Sequence, residues 1–223
     1  MADLTSELVK EYGYSAGARV VGIASAADFG LAPEGFRPAD QLEGCRSVIV
    51  LGDPSPKEVL SSISEYTANR NALLTKMTAV AKDVAKRIKT HGYATKAISG
   101  SGVKTIEGKQ YGHISLKHAA ELAGLGQITR NYLLTSPQYG NLLWFSAVLT
   151  DADLSTDPKV QLSVCDHCDQ CVQVCPLGAL KDPASFGIKE CSRFFTLKDR
   201  KFQIECYACR TVCPACFGIG DTP

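Results

Sequence analysis

The chain has 223 residues, 45% of them hydrophobic and 21% charged, with a formal net charge of +1. That length allows one large domain, or a domain plus a small one, with apolar residues enough for a real core. The near-zero charge and the lack of a basic run argue against a nucleic-acid partner. No apolar stretch approaches the roughly 18–20 residues of a membrane helix, so no membrane partner is expected.

In chain order, Leu4, Leu8 and Val9 at helical spacing predict a helix from Asp3 to about Tyr14, broken by Gly13 and Gly17. Arg19–Ala24 is a short β-rich run and a predicted strand. Phe29–Leu42 reads as loop, punctuated by Gly30, Pro33, Gly35 and Pro38. Cys45–Gly52 is a second strand, whose unbroken apolar character predicts burial on both faces. Cys45 itself reads as a small buried hydrophobe. After the Asp53-Pro-Ser-Pro turn, an apolar stripe through Leu73, Met77, Val80, Val84 and Ile88 predicts a long helix ending at His91-Gly92. Tyr93–Ile98 is a third strand.

The next stretch, Ser99-Gly-Ser-Gly-Val103, completes neither G-x-G-x-x-G nor G-K-[ST] and is expected to be a flexible loop, with irregular chain through Gly112. A short helix follows over Ser115–Ala123, then a long apolar strand over Asn141–Thr150 around Trp144. Asp151–Pro158 reads as a polar linker. The alternation of helices and strands predicts an α/β (α+β) fold. Two domains are expected, residues 1–157 and residues 158–223.

Past the linker comes Cys165-Asp-His-Cys168-Asp-Gln-Cys171-Val-Gln-Val-Cys175-Pro176, the C-x-x-C-x-x-C-x-x-x-C-P run with which bacterial ferredoxins hold iron–sulfur clusters. Pro176 is expected to start a helix, where its missing N–H costs nothing. Further on stands Cys206-Tyr-Ala-Cys209-Arg-Thr-Val-Cys213-Pro214, with a lone Cys191 between the two runs. Eight cysteines match two 4Fe–4S cubes. In such runs the last cysteine serves the other cluster. Crossing therefore assigns Cys165, Cys168, Cys171 and Cys213 to a first cluster, and Cys175, Cys191, Cys206 and Cys209 to a second. A zinc site is the alternative, but zinc needs only separated C-x-x-C pairs. Cys45 and Cys216 are expected to be dispensable for iron.

The stretch Ala119-Ala-Glu-Leu-Ala-Gly-Leu-Gly126, then Leu133–Gly140, then Ala147-Val-Leu-Thr-Asp151 before the cysteine run, resembles the superfamily of epoxyqueuosine reductases and reductive dehalogenases. The resemblance covers most of the chain. It implies a nitroreductase-like domain that holds a cobalamin, and a ferredoxin-like module that feeds it electrons. There are departures. The chain ends at Pro223, without the further helical region of the epoxyqueuosine reductases, which leaves room for a homodimer. Gln127-Ile-Thr-Arg130 stands where they have W-I-G-K, and Lys109–His113 lacks their proton-donating aspartate. Tyr111 and His113 lie at that place and are the candidate proton donors.

The expected function is a cytoplasmic iron–sulfur oxidoreductase that passes electrons to a corrinoid. The pocket residues are expected to be Gly124, Leu125, Gly126, Tyr139 and Gly140, because glycine permits close backbone approach to a flat ligand. No D-x-H-x-x-G motif is present, so the cobalt is expected to lack a protein axial ligand. A flavin in place of the corrinoid, or an electron carrier serving a partner enzyme, are the alternatives. Expected partners are an electron donor (ferredoxin, flavodoxin or a reductase) and a small-molecule substrate or corrinoid protein.

Overall fold

The computed structural model describes residues 3–101, 103–106, 109–181, 191, 195–198 and 201–219. The chain forms two compact units that are not consecutive blocks. The first comprises Met1–Pro54, Leu73–Leu125 and Trp144–Val160; the second comprises Ser55–Ala72, Gly126–Leu143 and Gln161–Pro223. The boundary expected after residue 157 lies beside the Val160/Gln161 break, while residues 55–72 and 126–143 group with the cysteine-bearing unit.

The first unit is built on a four-stranded sheet in the order β1-β2-β8-β3, from Val20–Ser25 (β1), Ser47–Pro54 (β2), Thr95–Ile98 (β3) and Leu143–Thr150 (β8). β1 and β2 pair antiparallel with Val21 opposite Leu51, and β3 and β8 pair antiparallel with Ala97 opposite Val148. The unbroken apolar run of β2 is buried from Ser47 to Asp53, as its pattern predicts. Helix α3, Ile63–Thr90, supplies Met77, Val80, Ala81, Val84 and Ile88 to a core shared with Val9, Ile23, Ile49, Leu51 and Val148. Burying each such aliphatic side chain contributes roughly 1.5–3 kcal/mol.

Helix α1 runs Ser6–Ser15 and is capped by Thr5, whose hydroxyl accepts from the Leu8 N–H at 3.2 Å. It continues through Gly13 rather than breaking there. A Cβ at that position would stand 2.6 Å from Val21 and 2.8 Å from Leu51, so the glycine lets the helix lie close on the sheet. Gly22 does the same in β1, where a Cβ would meet the Ala123 carbonyl oxygen at 2.2 Å.

Three further expectations are corrected. The region after Ser99 is not irregular: Val103–Ile106 (β4) and Lys109–Gly112 (β5) form an antiparallel hairpin. The loop over Phe29–Leu42 contains a four-residue helix, Pro38–Gln41 (α2), started by proline. The polar linker is tied down. Ala152 and Leu154 enter the core, and Asp157 bonds the Ile23 N–H at 2.9 Å and pairs with Lys10 at 2.5 Å.

The second unit carries short elements. Gln127–Ile128 (β6) pairs with Leu134–Thr135 (β7), and Phe195–Lys198 (β9) pairs with Lys201–Ile204 (β10). A five-residue helix, Gln170–Val174 (α5; α4 is Leu116–Leu122, in the first unit), lies before Pro176. Pro176 follows that helix and does not begin one. A proline bars its predecessor from the helical region, and Cys175 accordingly sits at ψ 110°. The residues after Lys181 that a helix would have used lie outside the described residues.

Candidate metal centre

The thiols come together from separated motifs, all within the second unit. A small cavity is lined by Cys165, Cys168, Cys171 and Cys213, with Thr129, Asn131 and Val164 in its wall. Three of these thiols come from the first run, and the fourth arrives from the end of the second. Burial pushes the Cys171 thiol up, and the neighbouring Cys165, Cys213 and Cys168 push it further. Burial likewise raises Cys213, with Cys165 and Cys168 adding to the rise. Such mutual discouragement of thiolates is what a cationic cluster relieves on binding.

The second group is Cys191, Cys206 and Cys209. Burial pushes the Cys209 thiol up to about 11, Arg210 pulls it back, and Cys191 and Cys206 reinforce the rise. Cys175 ends α5 and is half-buried. The motif alone assigns it to the second set.

Among the described residues no three Cys, His, Asp or Glu side chains converge as ligands of a single ion would. A tetrahedral zinc with bonds of 2.3 Å would draw its thiolates to about 3.8 Å of one another. The ligands of a cube each hold a different iron and stand further apart than that. Cys45 lies in the first unit, half-buried, and donates to the Ser47 carbonyl at 3.6 Å. Cys216 is 1% exposed, and its thiol is pushed to about 11 by burial.

Sequence spacing missed the polar side chains that hold these loops. Asn131 donates from Nδ2 to the Cys209 carbonyl at 3.1 Å, while its Oδ1 accepts from Thr129 and Leu133. Asn141 donates to the Arg210 carbonyl at 3.4 Å and accepts from Arg210 Nη1 at 3.3 Å. Tyr207 donates to the Leu60 carbonyl at 3.0 Å and stacks edge-on against Tyr66. Around the first run, the Arg130 N–H points at Cys165 Sγ at 3.4 Å. The Arg130 side chain lines an open cleft of about 370 Å³ with Gln127, Leu162, His167 and Asp169, and its buried Nε has no hydrogen-bond partner among the described residues.

The remaining expected site residues are placed as follows. Tyr111, at the end of β5, is 41% exposed and meets the Phe36 ring edge-on. His113 is half-buried just beyond it. Leu125 packs beneath Gly22. The glycines face the chain's own backbone. A Cβ at Gly124 would meet the Pro158 carbonyl oxygen at 2.3 Å, one at Gly126 the Thr135 oxygen at 2.2 Å, and one at Gly140 the Cys216 oxygen at 2.1 Å. All three have positive φ. Internal packing therefore uses these glycines, a role that the sequence reading did not give them. Tyr139 is half-buried, with its N–H on Ser136 Oγ at 3.4 Å.

Four thiols from two cysteine runs lining one cavity in a small α/β chain mark an iron–sulfur protein, and residues 158–181 match the 4Fe-4S binding domain family. The chain as a whole resembles the epoxyqueuosine reductases. It is 36% identical to that of a Synechococcus strain over 104 residues, which is 43% of this chain and 32% of the relative. It is 28% identical to that of Gloeobacter violaceus over 195 residues, which is 78% of this chain and 57% of the relative. It thus spans between about a third and just over half of these relatives. The fold is shared with the epoxyqueuosine reductase of Streptococcus thermophilus (TM-score 0.70, 17% identity, 96% of this chain and 66% of that one). A catabolic reductive dehalogenase shares it too (TM-score 0.71, 20% identity, 93% of this chain and 31% of that one). A third neighbour, an epoxyqueuosine reductase, was solved with an epoxyqueuosine-modified tRNA stem loop (TM-score 0.66, 20% identity, 94% of this chain and 64% of that one). At that identity the likeness is one of fold, and the stem loop belongs to the neighbour. Net charge is a sum over the surface and is silent about a local patch. Among the described residues no helix is long and apolar enough to cross a membrane.

Proposed function

We propose that the chain is a cytoplasmic iron–sulfur reductase of the epoxyqueuosine reductase type, acting on an epoxyqueuosine-related substrate. It holds two 4Fe–4S clusters and delivers electrons singly to a corrinoid in its nitroreductase-like first unit. The observation that carries the reading is the convergence of Cys213, from the second run, on Cys165, Cys168 and Cys171. Crossed ligation of this kind is the signature of a two-cluster ferredoxin module. Cys206, Cys209, Cys191 and Cys175 take the second cluster.

The corrinoid rests on the relatives. When bound it supplies a low-potential metal centre for reductive cleavage. The chain's own part is to hold the clusters and to offer a proton, for which Tyr111, exposed at its strand end, and the adjacent His113 are the candidates.

The test is anaerobic purification with cobalamin supplied, and a count of iron, cobalt and flavin per chain. About eight irons and one cobalt are expected, followed by reduction of an epoxyqueuosine-bearing tRNA stem loop. Iron without cobalt removes the corrinoid and leaves an electron carrier. Iron with flavin leaves a flavin-dependent reductase. Failure to act on the stem loop, with cobalt bound, overturns the substrate alone.

A further inference from the structure

The second cysteine run continues past its last assigned ligand. Cys213-Pro-Ala-Cys216 is a further C-x-x-C pair, and neither set of four ligands needs Cys216. The Cys216 N–H donates to the Cys213 carbonyl at 2.9 Å, which closes a four-residue turn. A turn brings its first and fourth Cα atoms within about 7 Å of each other. A disulfide spans roughly 4.4–6.8 Å between Cα atoms, so the backbone already has the reach of one. Cys216 is also held from the other side. Its carbonyl accepts the Asn141 N–H at 3.1 Å, and its thiol donates to Asn141 Oδ1 at 3.7 Å. The Asn141 side chain bonds the Cys213 thiol as well, so one amide touches both sulfurs.

The two thiols differ in access. Cys213 is half-buried and faces the cavity of the first cluster, whereas Cys216 is 1% exposed. An oxidant that dismantles the cluster meets Cys213 first. The thiols of the first run are poorer partners for it at that moment. Metal gathers their loop, while the Cys213–Cys216 turn is closed by its own hydrogen bond.

We propose that Cys213 and Cys216 are a redox pair, which closes to a disulfide when a hydroperoxide destroys the first cluster and so keeps the ligand thiol recoverable. Hydrogen peroxide converts the freed Cys213 thiol to a sulfenic acid and departs as water. The Cys216 sulfur then attacks the Cys213 sulfur. The S–S bond forms, the S–O bond breaks, and the hydroxyl leaves as water with the Cys216 proton. Two electrons pass from the two thiols to one hydroperoxide. A sulfenic acid without such a partner goes on to sulfinic and sulfonic acids, which do not return to the thiol. A dithiol reopens the disulfide by exchange. The inference rests on the reading of Cys213 as a ligand of the first cluster and adds a fate for that ligand.

The experiment starts from the full chain, purified anaerobically and with its iron counted. Hydrogen peroxide is added until iron is released, free thiols are alkylated under denaturing conditions, and the chain is cut with trypsin. Cleavage after Arg210 releases a peptide whose only cysteines are Cys213 and Cys216. That peptide is expected to be two hydrogens lighter than the dithiol and to carry no alkyl group, with both thiols alkylated after dithiothreitol. Cys216→Ala is expected to hold its full iron before oxidation, and to carry Cys213 as a sulfinic or sulfonic acid after it. Dithiothreitol, iron and sulfide then restore the first cluster's paramagnetic signal in the unaltered chain, and the variant loses that recovery. The proposal is overturned if the unaltered chain yields both thiols free, Cys213 over-oxidised, or Cys213 joined to Cys165, Cys168 or Cys171. Equal recovery of the variant overturns it too. If the variant fails to hold iron, the mass of the peptide from the unaltered chain decides. A closed disulfide in a chain that keeps all its iron overturns instead the assignment of Cys213 to the first cluster.

Discussion

A ligand thiol and a structural thiol differ here in what faces them. Cys213 looks into a cavity with three other thiols, whereas Cys216, three residues on, is buried against the Asn141 amide at 3.7 Å. Cys213→Ser is therefore expected to cut iron from about eight to about four per chain, with loss of the same resonance signal that Cys165→Ser removes. Loss of the signal that depends on Cys206 would instead refute the crossing. Cys216→Ala is expected to leave the iron count unchanged. The thiols themselves were legible in the sequence, because a cluster loop closes over a few residues and its spacing is local. Asn131, Asn141 and Arg210 were not, because their partners lie 69 to 78 residues away in the chain. The one available clue was the cation directly after Cys209.

Among the elements, β2 and α3 were readable because their burial follows a simple period. The failures came where a residue's usual role yields to packing. Gly13 is a poor helix residue in isolation, yet α1 needs it to clear Val21 and Leu51. Gly13→Ala removes a helix penalty of about 1 kcal/mol but introduces an overlap that costs about 1–3 kcal/mol. A net fall in thermal stability is expected, whereas Gly30→Ala, with nothing nearer than 3.9 Å, is expected to be near neutral. An unchanged or raised melting temperature for Gly13→Ala would show that the helix shifts to make room. The β4–β5 hairpin was missed because the sequence between its strands holds no Asn-Gly or Asp-Gly pair, the strongest short-range hairpin signal. The linker was missed because Ala152 and Leu154 are only two apolar residues in a polar run, and their burial is decided by Ser47 and β1 rather than by period.

At the level of the molecule, the two units hold together by different means. The first has a continuous aliphatic core. The second has short strands, a five-residue helix and a cavity walled by thiols, so metal supplies much of its folding energy. Iron removal by chelation under reducing conditions is expected to erase hydrogen-exchange protection over residues 161–181 and 201–219 while β1, β2, β3 and β8 keep theirs. Loss of protection in both units together would show one cooperative structure. Within the second unit, the same amides reach the surroundings of both ligand sets. Asn131 stands in the wall of the first cavity and bonds the Cys209 carbonyl, while Asn141 holds Arg210 and lends a hydrogen bond to the Cys213 thiol. Seating one cube therefore stiffens the frame that receives the other. Loading is expected to be cooperative without being all-or-none: during stepwise addition of iron and sulfide, native mass spectra show less of the singly loaded form than independent filling of two sites would give.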